Sequence, residues 1–204
     1  MRPAFHVITV SLVTGVLFFA TIAVLVRTWL ALRRAPADHP LARPADLGGY
    51  AATAIGFVLA LAAILTGFLL WPLDAVLNSA LMKNKILTAV LLVVFWGMFL
   101  LVRSRRGPAM WNNPAMAVYA ALLAVSGFFF GMLTSSIGGD VAGNPSGFEG
   151  IVQTFGVETR YTFYLPAWLN IAIIVAGALA LVLGIVAHQR EPARREADAT
   201  SADG

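Results

Sequence analysis

The sequence predicts an all-α integral membrane protein, a five-transmembrane-helix bundle with a long outer loop carrying a short amphipathic helix. The first observation is composition: 59% of the 204 residues are hydrophobic and 12% are charged, whereas soluble domains have about 25% charged residues. The second is local, since a membrane-spanning helix needs roughly 17–25 apolar residues. Five stretches of this kind contain no Asp, Glu, Lys or Arg: residues 7–26, 51–71, 86–102, 115–133 and 167–187.

These stretches predict one membrane domain over residues 1–189. The tail at 190–204 has no large apolar residue and is therefore expected to be disordered. The first stretch is not expected to be a cleaved signal peptide. It lacks a small-x-small cleavage site, and Arg27, Arg33 and Arg34 follow it as a stop-transfer pattern.

Basic residues are distributed unequally between the two predicted sides of the membrane. One side has only four: Arg2, Lys83, Lys85 and Arg160. The other side has nine: Arg33, Arg34, Arg43, Arg103, Arg105, Arg106, Arg190, Arg194 and Arg195. The positive-inside rule therefore predicts an inner (plasma) membrane protein with its N-terminus outside and its C-terminus in the cytoplasm. Because the charges flank the spans, the expected partner is the lipid bilayer and not nucleic acid.

The outer loop at 134–166 is the longest polar stretch between two hydrophobic segments. Ser146 and Glu149 have the Ser-x-x-Glu spacing of a capping box, which starts a helix. The apolar residues that follow share one helical face: Phe148, Ile151, Val152 and Phe155. We therefore predict a lid helix over 146–155, which either packs on the outer ends of the spans or docks a partner. Gly138 and Gly139, earlier in the loop, are expected to form a turn.

Polar residues on the same outer side form a candidate cluster of Asp74, Lys83, Lys85, Glu158 and Arg160. Glu158 and Arg160 lie two residues apart in a predicted extended segment, so their side chains are expected to pair. Asp74 is expected to form a tie with Lys83 or Lys85 across the second loop. Interfacial salt bridges explain such a cluster without catalysis, and no catalytic residue is predicted.

Histidine is the residue type that could hold haem here, because the chain has no cysteine. None of the three histidines lies in the middle of a predicted span. His6, at the outer start of the first helix, is the candidate cofactor ligand, and Met132 lies near the same boundary. The lack of facing mid-span histidines nevertheless favours a protein without cofactor or metal.

The interiors of the spans contain hydroxyl groups and glycines in place of charges. The absence of charge argues against an ion-coupled carrier, and the hydroxyls are expected to bond back to their own helices. Gly127 and Gly131 have the Gly-x-x-x-Gly spacing of a helix contact face. Trp96, within the third span, is interpreted as a packing residue.

Three segments carry a resemblance to a known group of proteins. They are the run ATAIGFVLALAAILTGFLLWP, the Leu-Leu-Val-Arg end of the next span, and residues 136–141, SIGGDV. Together these resemble the predicted bacterial membrane proteins grouped as domain of unknown function 2231, over residues 50–141. The resemblance implies a multi-pass membrane protein and brings no established activity with it.

Three classes of function fit these observations. The favoured class is a non-enzymatic accessory or scaffolding subunit, whose outer loop meets other membrane subunits. The second is a redox subunit that binds haem or quinone near the outer face, around His6 and Trp71. The third is a small-molecule channel or carrier.

Overall fold

The structure is a computed structural model that describes residues 3–36, 38–144, 147–156 and 158–161, together with Trp168, Ile171, Ala172, Val175 and Leu179. The chain forms two compact units, Met1–Tyr164 and Leu165–Gly204. Every regular element in the described ranges is helical, and the helices with defined bounds all lie in the first unit.

These helices follow one another with short connections. They are α1 (Pro3–Leu32), α2 (Ala42–Leu70), α3 (Leu73–Asn78), α4 (Ala80–Arg106), a 3-10 helix (Gly107–Asn112), α5 (Pro114–Val141) and α6 (Gly147–Thr154). Helices α1, α2, α4 and α5 are long and apolar enough to cross a membrane. The prediction of an all-α membrane protein is thus confirmed for four spans. The fifth predicted span, 167–187, lies outside the described residues except for five positions, which are helical, and the tail at 190–204 lies outside them entirely.

All four long helices extend beyond their predicted spans. Helix α2 begins at Ala42 where the prediction begins at 51, and α5 continues to Val141 where the prediction ends at 133. Each predicted span ends where its uninterrupted apolar stretch ends. A helix does not end there, because its terminal turns reach headgroups and water that solvate polar side chains.

Gly138 and Gly139 lie within α5, so the predicted turn at this pair is wrong. Both glycines serve close approach: a Cβ on Gly138 would lie 3.0 Å from Lys85 Nζ, and one on Gly139 would lie 2.6 Å from the carbonyl oxygen of Asn144. The chain turns at Gly143, where the Gly-Asn-Pro run also predicts a turn. The φ of Gly143 is +77°, in the left-handed region that favours glycine. Asn144 N then donates to the Gly139 carbonyl oxygen at 2.8 Å, which closes the end of the helix.

Helix α1 ends in a Schellman motif, although no glycine is present. Arg34 occupies the left-handed position with φ +51°. Its backbone N–H donates to the Ala31 carbonyl oxygen at 3.1 Å, and that of Ala35 donates to the Leu30 carbonyl oxygen at 3.0 Å. These two hydrogen bonds satisfy the last carbonyls of α1. The loop between α1 and α2 is shorter than the gap between the predicted spans, because α2 begins at Ala42.

The four long helices pack as an antiparallel ring in the order α1, α2, α4, α5, with α5 returning against α1. At most 39% of the most apolar window of any of them is buried. The outward faces carry exposed large apolar residues such as Phe19, Val58 and Leu65. An apolar surface of this extent would not stay solvated in water, so these faces are the lipid-facing surface of the bundle.

Glycine allows α4 and α5 to approach closely. A Cβ on Gly127 would lie 2.7 Å from Trp96 Nε1, and one on Gly131 would lie 2.9 Å from a Leu92 methyl carbon. Trp96 is fully buried against Phe99, with their ring centres 6.0 Å apart. The predicted contact face at Gly127 and Gly131 and the packing role of Trp96 are therefore confirmed.

The hydroxyl groups of the spans bond mostly to their own helices, as predicted. Their acceptors are backbone carbonyl oxygens three or four residues earlier, for Thr9, Ser11, Thr14, Thr21, Thr53, Thr66 and Thr88. Two hydroxyls also join helices. Thr28 donates to the Ala117 carbonyl oxygen at 3.1 Å, and Thr134 donates to Thr88 Oγ1 at 2.8 Å.

A buried ion pair joins α2 to α4 where α1 and α4 end. Arg103 Nε and Nη2 donate to the two carboxylate oxygens of Asp46 at 2.7 and 2.6 Å. Trp111 Nε1, on the 3-10 helix, donates to the same carboxylate at 2.7 Å. The Arg103 guanidinium lies 5.3 Å from the ring centre of Tyr50, and that of Arg27 on α1 lies 5.3 Å from the ring of Trp111. We call these five residues the Asp46 network.

The Asp46 network divides the bundle into two ends. The Asp46 end holds the network, and the opposite His6 end holds the start of α1, α3, the start of α4 and the end of α5. Arg103 was predicted to be a loop charge, but it is buried and neutralised by Asp46. Asp46 precedes the predicted span at 51–71, but it lies within α2, which begins at Ala42.

We predict that Arg103→Met strongly destabilises the bundle. It would leave the Asp46 carboxylate buried without its cation, which typically costs about 3–5 kcal/mol. The measurement is the midpoint of thermal unfolding in a mild detergent. The matched control is Arg105→Met on the exposed side of the same helix, for which we expect a change within about 0.5 kcal/mol. The double variant Asp46→Leu/Arg103→Met should recover much of the loss. Equal midpoints for the two single variants would contradict a stabilising network.

Candidate functional site

An apolar cavity of 220 Å³ lies among α1, α2, α4 and α5 toward the His6 end. Small residues from three of the helices create the space, notably Ala63, Gly67, Ala89 and Gly131. Protein interiors rarely leave voids larger than a water molecule. Since a cavity of about 150 Å³ holds benzene, this one has room for a single ring or a short acyl segment. We call it the His6 cavity.

A few polar side chains line the otherwise apolar wall of the His6 cavity. They are His6, Thr14, Trp71, Lys85, Thr134 and Ser135. Apolar walls with a small number of convergent polar groups are typical of sites that bind small molecules. Two of these residues, His6 and Lys85, bring chemistry that hydroxyl groups do not.

His6 is held in place by α2. Its Nδ1 lies 3.1 Å from Thr66 Oγ1, and the Thr66 hydroxyl donates to the Ala63 carbonyl oxygen at 3.1 Å. Because that hydroxyl has one hydrogen, we assign the Nδ1 hydrogen to His6, which leaves a lone pair on Nε2. A Cβ on Gly67 would lie 3.3 Å from His6 Cε1, so glycine makes room for the imidazole. His6 can therefore accept a hydrogen bond through Nε2.

Lys85 brings a positive charge to the same cavity from the first turns of α4. Its Nζ lies beside Gly138 of α5, which has no side chain to displace it. No hydrogen bond or ion pair reaches the Lys85 ammonium from any residue in the described ranges. An ammonium group in an apolar wall without an anion is unfavourable, so Lys85 is suited to a ligand that supplies one.

The predicted tie between Asp74 and the two lysines is wrong. Asp74 lies exposed in the first turn of α3. It forms no ion pair with Lys83 or Lys85 within the described part of the chain. Of the five residues in the predicted polar cluster, only Lys85 lines the His6 cavity.

Glu158 and Arg160 do contact each other, but not through their side chains as predicted. The Glu158 carboxylate accepts from the backbone N–H of Arg160 at 3.0 Å. Arg160 Nε lies 3.8 Å from the Asp140 carboxylate at the end of α5. The Glu158 carboxylate is thus used in a local backbone contact, and the Arg160 guanidinium lies near Asp140.

Asn84 is a positioning residue that the sequence did not single out. Its side-chain amide donates to the carbonyl oxygens of Thr159 and Tyr161 at 2.6 and 2.7 Å. Asn84 is buried and holds this segment against the start of α4, one residue before Lys85. A lone Asn within a helical pattern gives no sequence signal for such a contact, because its partners are distant backbone atoms.

The lid segment forms α6, which packs on α5 through part of its apolar face. Val152 is buried, and the Phe148 ring centre lies 6.1 Å from that of Phe129. Ile151 and Phe155 are exposed by 57% and 60%, which differs from the expected four-residue contact. An eight-residue helix against a single neighbour covers only part of so wide a face. Ser146 and the Glu149 side chain, which make the predicted capping box, lie outside the described residues.

His6 and Met132, the candidate pair of haem ligands, line the same cavity. A porphyrin with four pyrrole rings needs several times the space of benzene, so most of it would extend beyond a space of 220 Å³. Among the described residues, no three His, Asp or Glu side chains lie close enough to hold a metal ion. The cavity thus fits a single ring or chain better than haem.

The chain matches no protein-family model, no curated protein and no solved structure. The functional proposal therefore stands on the His6 cavity and the membrane bundle.

We predict that cysteine labelling will distinguish the two sides of α6. Val152→Cys should react slowly with a membrane-impermeant maleimide in detergent, because residue 152 is buried. Gly150→Cys, at an exposed position with open space around it, should react fast. The native chain has no thiol to compete. Equal rates at the two positions would contradict the packing of α6 on α5.

Proposed function

We propose that this protein is a non-enzymatic membrane subunit that binds a small, largely apolar molecule in the His6 cavity. The observation that carries the proposal is the cavity itself, which lies among four apolar helices and is lined by few polar groups. Binding explains why small residues replace the large ones that would fill this space. The polar residues are too few and too dispersed for the usual catalytic arrangements, in which a nucleophile, a base and a third group are joined by hydrogen bonds.

An accessory role beside other membrane subunits accords with α6. Ile151 of α6 and Phe155, the residue after its end, are exposed. They would meet either the bilayer interface or a neighbouring subunit. The resemblance to domain of unknown function 2231 stays a prediction. It too points to a multi-pass membrane protein without a known reaction.

A redox subunit that binds quinone is the second candidate. The observation in its favour is that His6, Trp71 and Lys85 line one cavity of ring size. The Lys85 ammonium could donate to a quinone carbonyl oxygen, and the apolar wall would receive the start of the tail. A channel or carrier finds less support, because the buried Asp46, Arg103 and Trp111 side chains fill the opposite end of the bundle.

We predict that the purified protein retains one small molecule per chain, and that Ala89→Phe removes it. Phenylalanine at 89 would fill the His6 cavity, which Ala89 lines. The measurement is mass spectrometry of an organic extract from protein purified in detergent. Ala51→Phe, at an exposed position of α2 outside the cavity, is the matched control and should keep the molecule. Identical extracts from both variants would overturn the proposed binding role.

The same preparations separate the two candidates. A quinone in the extract, with its ultraviolet absorbance lost on reduction, would replace the accessory role with the redox one. An absorption band near 410 nm at about one haem per chain would show that the cavity expands to admit haem. In that case His6→Ala should abolish the band.

We propose that the His6 end faces outward and the Asp46 end faces the cytoplasm. Arg33, Arg34, Arg105 and Arg106 cluster at the Asp46 end, and this accords with the positive-inside rule even without the paired Arg103. A cytoplasm-active reporter fused after Gly204 should be active, and one inserted after Asn144 should be inactive. The reverse pattern would invert the topology.

A further inference from the structure

We infer that the ligand of the His6 cavity is an anionic amphiphile, a short acyl chain with a carboxylate or phosphate headgroup that binds the Lys85 ammonium. This inference rests on the proposed binding role and names the chemical class of the ligand. Two features support it independently: the unpaired charge of Lys85 and the apolar character of the space beside it.

Lys85 has no acidic partner among the described residues. Asp140, on the same helix as Gly138, lies in contact with Arg160 at 3.8 Å. Asp74 is exposed on α3 and makes no pair within the described part of the chain. Among the described residues, none takes a hydrogen of the Lys85 ammonium, so these hydrogens are available to a ligand or to water. An anionic group accepts charge-assisted hydrogen bonds, which are about twice as strong as neutral ones.

Neighbouring groups complement a headgroup at this position. Ser135 and Thr134 of α5 line the cavity with Lys85, and a Cβ on Gly138 would crowd the ammonium at 3.0 Å. Glycine at 138 thus leaves room for the Nζ beside α5. The Ser135 hydroxyl can donate a second hydrogen bond to a carboxylate or phosphate oxygen.

The remainder of the cavity suits an acyl chain. Below the polar rim, the wall is formed by side chains such as Val13, Leu17, Ile64 and Leu92. Neither a free inorganic anion nor a wholly apolar molecule satisfies both halves of the site. An amphiphile does, because its headgroup neutralises Lys85 while its chain fills the apolar space.

The experiment uses the full-length protein in phosphatidylcholine nanodiscs with radiolabelled decanoate as the probe, read by scintillation proximity against empty nanodiscs. We expect saturable binding of one decanoate per chain, with displacement by decyl phosphate and weak displacement by decanol. Lys85→Met should weaken decanoate binding by about tenfold or more, whereas Lys85→Arg should retain it. The control is Lys83→Met, which removes a neighbouring charge that does not line the cavity and should leave binding unchanged.

The outcomes distinguish failure of this inference from failure of the binding role. The anionic headgroup is wrong if decanol displaces the probe as well as decanoate does, or if Lys85→Met and Lys83→Met bind the probe equally. The cavity role still stands in that case, provided that Ala89→Phe abolishes binding. If no probe binds saturably, but Ala89→Phe still removes a molecule from the organic extract, the anionic class is wrong and the binding role stands. If the extracts of Ala89→Phe and Ala51→Phe are also identical, both fail. Should Lys85→Met not fold, Lys85→Gln takes its place. If phosphatidylglycerol in the nanodisc competes with decanoate, the source of the ligand is a bilayer lipid. If it does not compete, the source is a free fatty acid.

Discussion

The buried pair of Asp46 and Arg103 is the interaction on which the arrangement of the bundle depends. Within an apolar interior, a carboxylate and a guanidinium are stable only together and fully hydrogen-bonded. Their bidentate contact, with the Trp111 N–H on the same carboxylate, fixes α2, α4 and the 3-10 helix in one register. Arg27 on the Trp111 ring brings α1 into the same contact. Because each long helix is continuous, its packing at the Asp46 end also sets its position at the His6 end.

The two ends of the bundle have opposite characters. At the Asp46 end, large side chains such as Trp111 and Met110 are buried and fill the space between helices. At the His6 end, alanine and glycine leave the 220 Å³ cavity with an imidazole and an ammonium at its rim. Close packing and hydrogen bonding at the Asp46 end stabilise the bundle, so the fold tolerates a cavity at the His6 end. This division is the physical basis of the proposed binding role.

Much of the fold was predictable because lipid imposes a simple rule on a chain. Each span must be apolar along its length and satisfy its own backbone. The four described spans and the hydroxyl back-bonds could therefore be predicted from local apolar stretches and the hydroxyl residues within them. The candidate site was predicted only in part. His6 and Lys85 were singled out for their chemistry, but their common cavity depends on Ala63, Gly67 and Ala89, which give no signal in a sequence already rich in small residues.

The sequence by itself determined that this is a helical membrane protein, because hydrophobic length is a local property. It also determined where glycine permits helix contact, since Gly127 and Gly131 recur at helical spacing. Only the tertiary structure decided which polar groups meet. Asp46 lies 57 positions from Arg103, and Glu158 leaves Arg160 to Asp140. Such partners are set by helix direction and register, which depend on all helices at once and leave no pattern within any one of them.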